Sequence, residues 1–199
     1  HLDRLAREGL ELAQHYVAPV CSPTRTGLLS GRCWSRFGVT TPSNERAFSW
    51  DTMTLPRALK RVGYDTCLTG KWHLGSLPEQ GPNHFGFDHS YGSLAGGVSP
   101  YGHRYKQGKF SQTWHRNETL IEEKGHVTDL IATEAVRWIE SRGAAPFFLY
   151  VPFTAVQDHG QTVFDLHVGG AEMPRSWTRA EHVPGVEDAV AALAAGLPV

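Results

Sequence analysis

The chain has 199 residues and a mass of 22.0 kDa, with 40% hydrophobic and 20% charged residues. This composition is typical of one globular domain with a single core, or of part of a larger one. Nineteen basic and twenty acidic side chains give a formal charge of -1, which argues against a nucleic-acid partner. No run approaches the roughly eighteen apolar residues of a spanning helix, so we expect no membrane span.

The cysteines exclude two classes of small domain. Cys21, Cys33 and Cys67 cannot all pair with one another, and none belongs to a C-x-x-C or to a Cys/His array with zinc-ligand spacing. We therefore expect neither a disulfide scaffold nor a zinc module.

Helical and extended patterns alternate along the first seventy residues. Apolar residues at helical spacing predict an amphipathic helix over roughly the first dozen residues. The segment 21–32 reads CSPTRTGLLSGR and is predicted to be a loop entering a short helix that Gly31 ends. Thr54 is the expected N-cap of a second helix, which Gly63 stops, and residues 64–69 are predicted to form a strand.

The elements predicted for the second half of the chain complete the prediction of a layered fold. Residues 75–124 are rich in Gly, Pro, His, Ser and Tyr and predict long loops with a short hairpin. Thr128 is the expected cap of a helix that ends near Gly143, and the apolar run 147–151 predicts a strand covered on both faces. The order helix, strand, helix, strand indicates an α/β fold with a largely parallel sheet flanked by helices.

One concentration of chemistry lies at Cys21. The residue precedes a helix whose free N–H groups and positive dipole end point toward its side chain, as in an anion site. Arg25 follows about one turn later and can reach the same pocket. The alternative is that Cys21 is a small buried apolar residue and Arg25 a solvated surface charge.

A second concentration follows the predicted strand, in the sequence GKWHLG at 70–75. If the chain stays extended, Lys71 and His73 lie on one side and Trp72 on the other. An ammonium and an imidazole then share a pocket at the carboxyl end of a parallel strand, where α/β folds bind ligands. The alternative is a strand end that happens to be basic.

Together the two segments resemble the type I sulfatases, whose active-site cysteine is oxidised to formylglycine. The resemblance rests on CSPTRTGLLSGR at 21–32, on GYDT at 63–66 followed by GKWHLG, and on PFFLY at 146–150. It covers roughly residues 1–156, and it implies the alkaline-phosphatase-like α/β fold of that family, here incomplete. Residues 1–156 are then part of the catalytic domain, and 157–199 form a divergent tail of unknown role.

The resemblance implies hydrolysis of a sulfate monoester by a formylglycine hydrate at position 21. Arg25 is expected to steady that group, Lys71 to bind sulfate oxygens, and His73 to help deprotonate the hydrate. The formylglycine at Cys21 is also expected to be a ligand of a Ca²⁺ ion. The other ligands, an upstream aspartate pair and a downstream aspartate, are not found in the chain, so little activity is expected of this chain alone.

Further expectations follow from the same resemblance. The substrate is expected to be a sulfated small molecule or glycan, the modifying partner a formylglycine-generating enzyme or an equivalent maturase, and the location periplasmic, secreted or lysosomal. A catalytic histidine of the family has no match at Gln157, and His159 is a candidate to replace it. The alternatives are hydrolysis of a phosphodiester or phosphonate ester, or a remnant that binds an anion without turnover.

Overall fold

A computed structural model of the chain describes residues 2–9, 11, 13–106 and 108–155. The α-helices in this part are α1 (Leu2–Glu8), α2 (Cys21–Ser30), α3 (Leu55–Lys60) and α4 (Val127–Glu140). The strands are β1 (Asp65–Lys71), β2 (His89–Ser93), β3 (Trp114–Arg116), β4 (Thr119–Leu120) and β5 (Phe147–Tyr150). Short 3-10 helices span Trp34–Phe37, Pro78–Gln80 and Pro82–Phe85.

The five strands form one mixed sheet in the order β4-β3-β2-β1-β5. β1 pairs in parallel with β2 on one side and β5 on the other, whereas β3 and β4 extend the sheet in antiparallel fashion. The predicted α/β sheet flanked by helices is thus confirmed, with its parallel part around β1. Among the described residues, no helix is long and apolar enough to cross a membrane.

The largest core cluster lies between α2, β1 and the segments that cross over them. Its aromatic centre is Trp72, which stacks on Phe85 and packs edge-on to Phe87. Further buried side chains of this cluster are Leu29, Phe48, Leu68, Leu74 and Leu94. Because Leu29 belongs to α2 and Leu68 to β1, burial of this cluster packs α2 against β1.

Several local predictions are confirmed. Gly31 is the C-cap of α2, and Thr54 caps α3 by accepting a hydrogen bond from the Arg57 amide. The predicted hairpin in the middle of the chain is the β3–β4 pair. The buried face of α4 includes the expected residues Ile131, Ala135, Trp138 and Ile139.

Other local predictions are wrong, each for a definable reason. His126 and not Thr128 caps α4, because the His126 ring nitrogen accepts from the Thr128 amide. α3 ends at Lys60, before Gly63, and its expected apolar residue Val62 is 69% exposed. β2 was not expected within the predicted loops, because its sequence HSYGS lacks an apolar run. β5 is half-buried rather than covered on both faces.

Candidate active site

Cys21 occupies the first turn of α2. Val20 before it has extended backbone angles, and the Thr24 amide already donates to the Val20 carbonyl. The Cys21 side chain is half-buried and lies at the positive end of a ten-residue helix. The helix therefore presents a partial positive charge to whatever group stands at position 21.

Two basic side chains from the end of β1 meet Cys21. His73 Nδ1 lies 3.1 Å from Cys21 Sγ, and the Lys71 ammonium is within hydrogen-bonding range of the same sulfur. The neighbouring Ser22 hydroxyl donates to the His73 carbonyl over 3.0 Å, which ties α2 to the chain after β1. Residues fifty positions apart in sequence thus share one site, as the sequence predicted.

The backbone conformation at His73 differs from the extended one that the sequence predicted. His73 has a φ of 56°, so the extended conformation ends at Trp72. The imidazole is 5% exposed and packs against Gly96, where an added Cβ would lie 2.6 Å from its Nε2. Because Gly96 has no side chain, the His73 ring can occupy this space. A side chain at position 96 would displace the ring.

Lys71 is a buried cation, with only 1% of its surface exposed. The pKa of Lys71 is lowered to about 8, mainly by burial and also by the Arg25 charge, while the Cys21 sulfur opposes both effects. The perturbed lysine beside a cleft is the kind of group that marks functional sites.

Arg25 lies one turn along α2 from Cys21 and is held by two oxygen acceptors. Its Nη1 donates to the Lys71 carbonyl over 2.5 Å and to the Tyr150 hydroxyl over 3.2 Å. No carboxylate pairs with Arg25 among the described residues, where every ion pair involves other side chains. The alternative of a solvated surface charge is wrong, because the guanidinium Nε is buried.

A cleft of about 500 Å³ opens over this group. Polar lining comes from Cys21, Thr24, Arg25, Tyr150 and Thr154, and apolar lining from Ala18, Pro19, Val20, Pro42, Phe153 and Ala155. Lys71 and His73 are buried and contact Cys21, but they are not among the residues that line the cleft. A small anion in the cleft would lie beside Cys21 and Arg25.

The described part of the chain offers no set of ligands for a metal ion. No group of three or more His, Cys, Asp or Glu side chains comes together among the residues of known placement. Around Cys21 the charged groups are cations and the acceptors are neutral oxygens, which suits an anionic ligand and not Ca²⁺.

All four residues singled out from the sequence therefore lie together, and two neighbours were missed. Tyr150 contacts Arg25, and Gly96 contacts His73. The signal for Tyr150 was a hydroxyl at the carboxyl end of an apolar strand, where ligands bind. Gly96 gave no signal, because its role depends on a ring from a distant segment. The candidate His159 lies outside the described residues.

The sequence also matches a known family. The family model described as Sulfatase matches residues 1–169. The chain belongs to the Sulfatase family. Mouse arylsulfatase J is 34% identical over 167 residues, a match that covers 78% of this chain and 28% of that protein. Mouse N-acetylgalactosamine-6-sulfatase is 33% identical over 175 residues, covering 75% of this chain and 33% of that protein.

A solved structure supports the same assignment. The protein named Ps i-CgsB, crystallised with k-i-k-neocarrahexaose, superposes on this sulfatase chain with a TM-score of 0.73 and 27% identity. The match covers 92% of this chain and 45% of that one. The alkaline-phosphatase-like sulfatase fold is thus confirmed. The chain spans about a third of the length of the two curated relatives.

Proposed function

We propose that the chain carries the nucleophile and sulfate-binding part of a sulfuric ester hydrolase. The observation that supports this most directly is the grouping of Arg25, Lys71 and His73 around Cys21, at a helix N-terminus and beside a cleft. Negative charge grows on the sulfate and leaving-group oxygens during ester cleavage, and fixed cations stabilise it. Membership of the Sulfatase family selects sulfate among the anions that such a site could bind.

Formylglycine at position 21 fits this surrounding. It would supply a hydrated aldehyde as the nucleophile for the ester sulfur, with the alcohol of the ester as the leaving group. His73 Nδ1, 3.1 Å from the present sulfur, is close enough to accept the proton of a hydroxyl at that position. Lys71 donates N–H groups toward sulfate oxygens, and Arg25 places a second fixed charge one helical turn away. Lys71 and His73 are both buried, so the protein shields these two groups from water.

The family resemblance implies a Ca²⁺ ion with formylglycine among its ligands. The described residues around Cys21 provide no carboxylate partner for this ion. Hard cations of this size take six to eight oxygen ligands. We therefore derive no step of the reaction through the metal.

The substrate is proposed to be a sulfated glycan or a sulfated small molecule. The relatives are named for an aryl sulfate and for an N-acetylgalactosamine sulfate, and a structural neighbour was crystallised with an oligosaccharide. A formylglycine-generating maturase is the proposed modifying partner. A periplasmic, secreted or lysosomal location is proposed on the same family basis, and the change from catalytic domain to tail is proposed near residue 156.

The proposal is tested by assay and mass spectrometry on one preparation. Full chain is produced with and without a formylglycine-generating enzyme, the state of residue 21 is read from the tryptic peptide, and turnover of an aryl sulfate is compared with that of an aryl phosphodiester. Little turnover is expected of this chain alone, and we expect what sulfate turnover there is only where Cys21 is converted, with none in Cys21→Ala. Turnover that prefers the phosphodiester, or that is equal in Cys21→Ala, contradicts the proposal.

Inorganic sulfate binding provides a readout that does not need turnover. Calorimetric titration of the unmodified chain should detect sulfate binding that Lys71→Ala weakens. The matched control is Lys60→Ala, which removes a half-exposed lysine paired with Asp88 outside the cleft. Absence of sulfate binding by the wild-type chain, or equal binding by both variants, contradicts the proposed anion site.

A further inference from the structure

Arg25 has an outer contact that the proposed mechanism does not use. Its Nη1 donates at once to the Lys71 carbonyl and to the hydroxyl oxygen of Tyr150. The first acceptor belongs to the strand that carries the site, and the second belongs to the neighbouring strand β5. A single guanidinium nitrogen thus joins α2 to two parallel strands.

Main-chain pairing with β1, at Tyr150 itself and two residues after it, fixes the position of Tyr150. Tyr150 is the last residue of β5 and lies in register with Leu68 of β1. Two residues later, the Pro152 carbonyl accepts from the Lys71 amide over 2.8 Å. At Gly70 an added Cβ would lie 2.2 Å from the Pro152 oxygen, so the two chains run in close contact there.

These contacts close a ring. Arg25 binds the Lys71 carbonyl, the Lys71 amide binds Pro152, the chain returns through Val151 to Tyr150, and the Tyr150 hydroxyl accepts from Arg25. Every member except the Arg25 and Tyr150 side chains is backbone. Of the two oxygens that orient the guanidinium, the phenolic oxygen of Tyr150 is the one that a side chain supplies.

The Tyr150 hydroxyl, which accepts the hydrogen bond from Arg25, is also neutral. Burial raises the pKa of the Tyr150 hydroxyl, with the Arg25 charge opposing that effect, so the group stays protonated at physiological pH. A carboxylate in the same place would orient the guanidinium but would cancel its charge. A phenol orients it and leaves the positive charge for a ligand in the cleft, which Tyr150 lines together with Cys21 and Arg25.

We propose that Tyr150 is a positioning residue of the anion site, whose hydroxyl oxygen holds the Arg25 guanidinium in the orientation that binds a sulfate oxygen beside position 21. This inference rests on the proposed function. It predicts that loss of the hydroxyl weakens anion binding through Arg25 and leaves the fold in place, because β5 is held by its pairing with β1.

The test is a double-mutant cycle on inorganic sulfate affinity, measured by calorimetry on the full, unmodified chain. Tyr150→Phe should weaken sulfate binding by about tenfold, the size expected for one hydrogen bond to a charged group. In the Arg25→Ala background, the same substitution should change the affinity by less than about twofold, since the group that Tyr150 holds is gone. Tyr64→Phe, a tyrosine outside the cleft lining, is the matched control and should bind sulfate as the wild type does.

The outcomes distinguish a failure of the Tyr150 role from a failure of the proposed function. If the wild-type chain binds sulfate and Tyr150→Phe binds it equally, or if the loss is the same in the Arg25→Ala background, the role of Tyr150 is overturned and the proposed function is not. If the wild-type chain binds no sulfate, both fall. A measurement without any substitution covers the case of a misfolded variant: the ¹³C resonance of the Tyr150 ring should move during sulfate titration, and that of Tyr64 should not. A stationary Tyr150 resonance overturns the inference.

Discussion

Glu134 on α4 and Lys71 at the end of β1 are both charged side chains removed from water, but their surroundings differ. Glu134 is 5% exposed and Lys71 is 1% exposed. Each is held by groups from several elements of the fold. The comparison of these two buried charges separates a cluster that supports the structure from one that is suited to bind a ligand.

Glu134 is surrounded by opposite charge. His89 Nε2 lies 2.8 Å from one carboxylate oxygen, Arg116 binds the same oxygen, and Arg137 binds the other over 3.1 Å. Burial by itself would raise the pKa of Glu134, but the hydrogen bonds from His89 and Arg116 hold it below its ordinary value. The charges of this cluster compensate one another, and its members come from α4, β2 and β3.

Around Lys71 the surroundings differ. Arg25 adds a second positive charge, the Cys21 sulfur opposes its effect on the Lys71 pKa, and the oxygens that orient Arg25 are a carbonyl and a phenol. Ionisable groups whose pKa is strongly perturbed cluster at functional sites. The difference indicates that the basic groups around Cys21 suit an anionic ligand, whereas the charges around Glu134 are used within the fold.

The largest expected effect comes from breaking the balanced cluster. Glu134→Ala leaves His89 and Arg116 without their carboxylate, and we expect a loss of about 3 kcal/mol or more in the free energy of unfolding. Urea denaturation followed by circular dichroism measures it. A loss below about 1 kcal/mol would mean that Glu134 is not a structural ion-pair centre.

Removing the Lys71 charge should cost little stability. Lys71→Met keeps the length and the apolar stem, so we expect little change in the free energy of unfolding together with weaker binding of inorganic sulfate by the unmodified chain. The two readouts are taken on the same preparation. Unchanged sulfate binding would remove Lys71 from the site, and a marked loss of stability would show that its charge supports the fold.

An intermediate effect is expected from acid at β3, the strand that also carries Arg116. His115 is fully buried, and burial lowers its pKa to about 4, with the charge of His89 adding to the effect. Between the ordinary value near 6.5 and this value the unfolded chain binds a proton that the folded chain does not. Stability therefore falls as pH falls, by about 2 kcal/mol between pH 7 and pH 5.

The measurement for His115 is the pH dependence of urea unfolding in the wild type and in His115→Asn. The asparagine can keep a hydrogen bond to the Gly92 carbonyl, which His115 makes over 2.7 Å, but it does not titrate. We expect the slope of stability against pH to be flatter in the variant over this range. Equal slopes would assign the acid sensitivity to other groups.

The smallest effect on stability is expected at an exposed ion pair. Glu122 pairs with Arg104 over 2.5 Å, but both side chains are more than half exposed. Water and salt screen such a pair, so Glu122→Gln should change the unfolding free energy by about 0.5 kcal/mol or less. It serves as the matched control for Glu134→Ala, and a loss of similar size in both would contradict the distinction between buried and exposed pairs.

The sequence predicted which four side chains would meet better than it predicted the local structure around them. Cys21 and Arg25 share a helical turn, and Lys71 and His73 share a strand end, so each pair could be found by local spacing. The cap of α4 was missed because a histidine ring nitrogen replaced the expected threonine oxygen. β2 was missed because its glycine, serine and tyrosine residues form a strand only through pairing with β1.

By itself the sequence determined the α/β class, the family and the four candidate residues Cys21, Arg25, Lys71 and His73, since these depend on residue type and on distances along the chain. Only the tertiary structure decided that the two segments meet, with the Cys21 sulfur 3.1 Å from His73, and that Arg25 donates to Tyr150. It also decided which charges surround Glu134 and Lys71. Charge balance depends on contacts between distant segments, and burial in the folded chain sets the strength of every such contact.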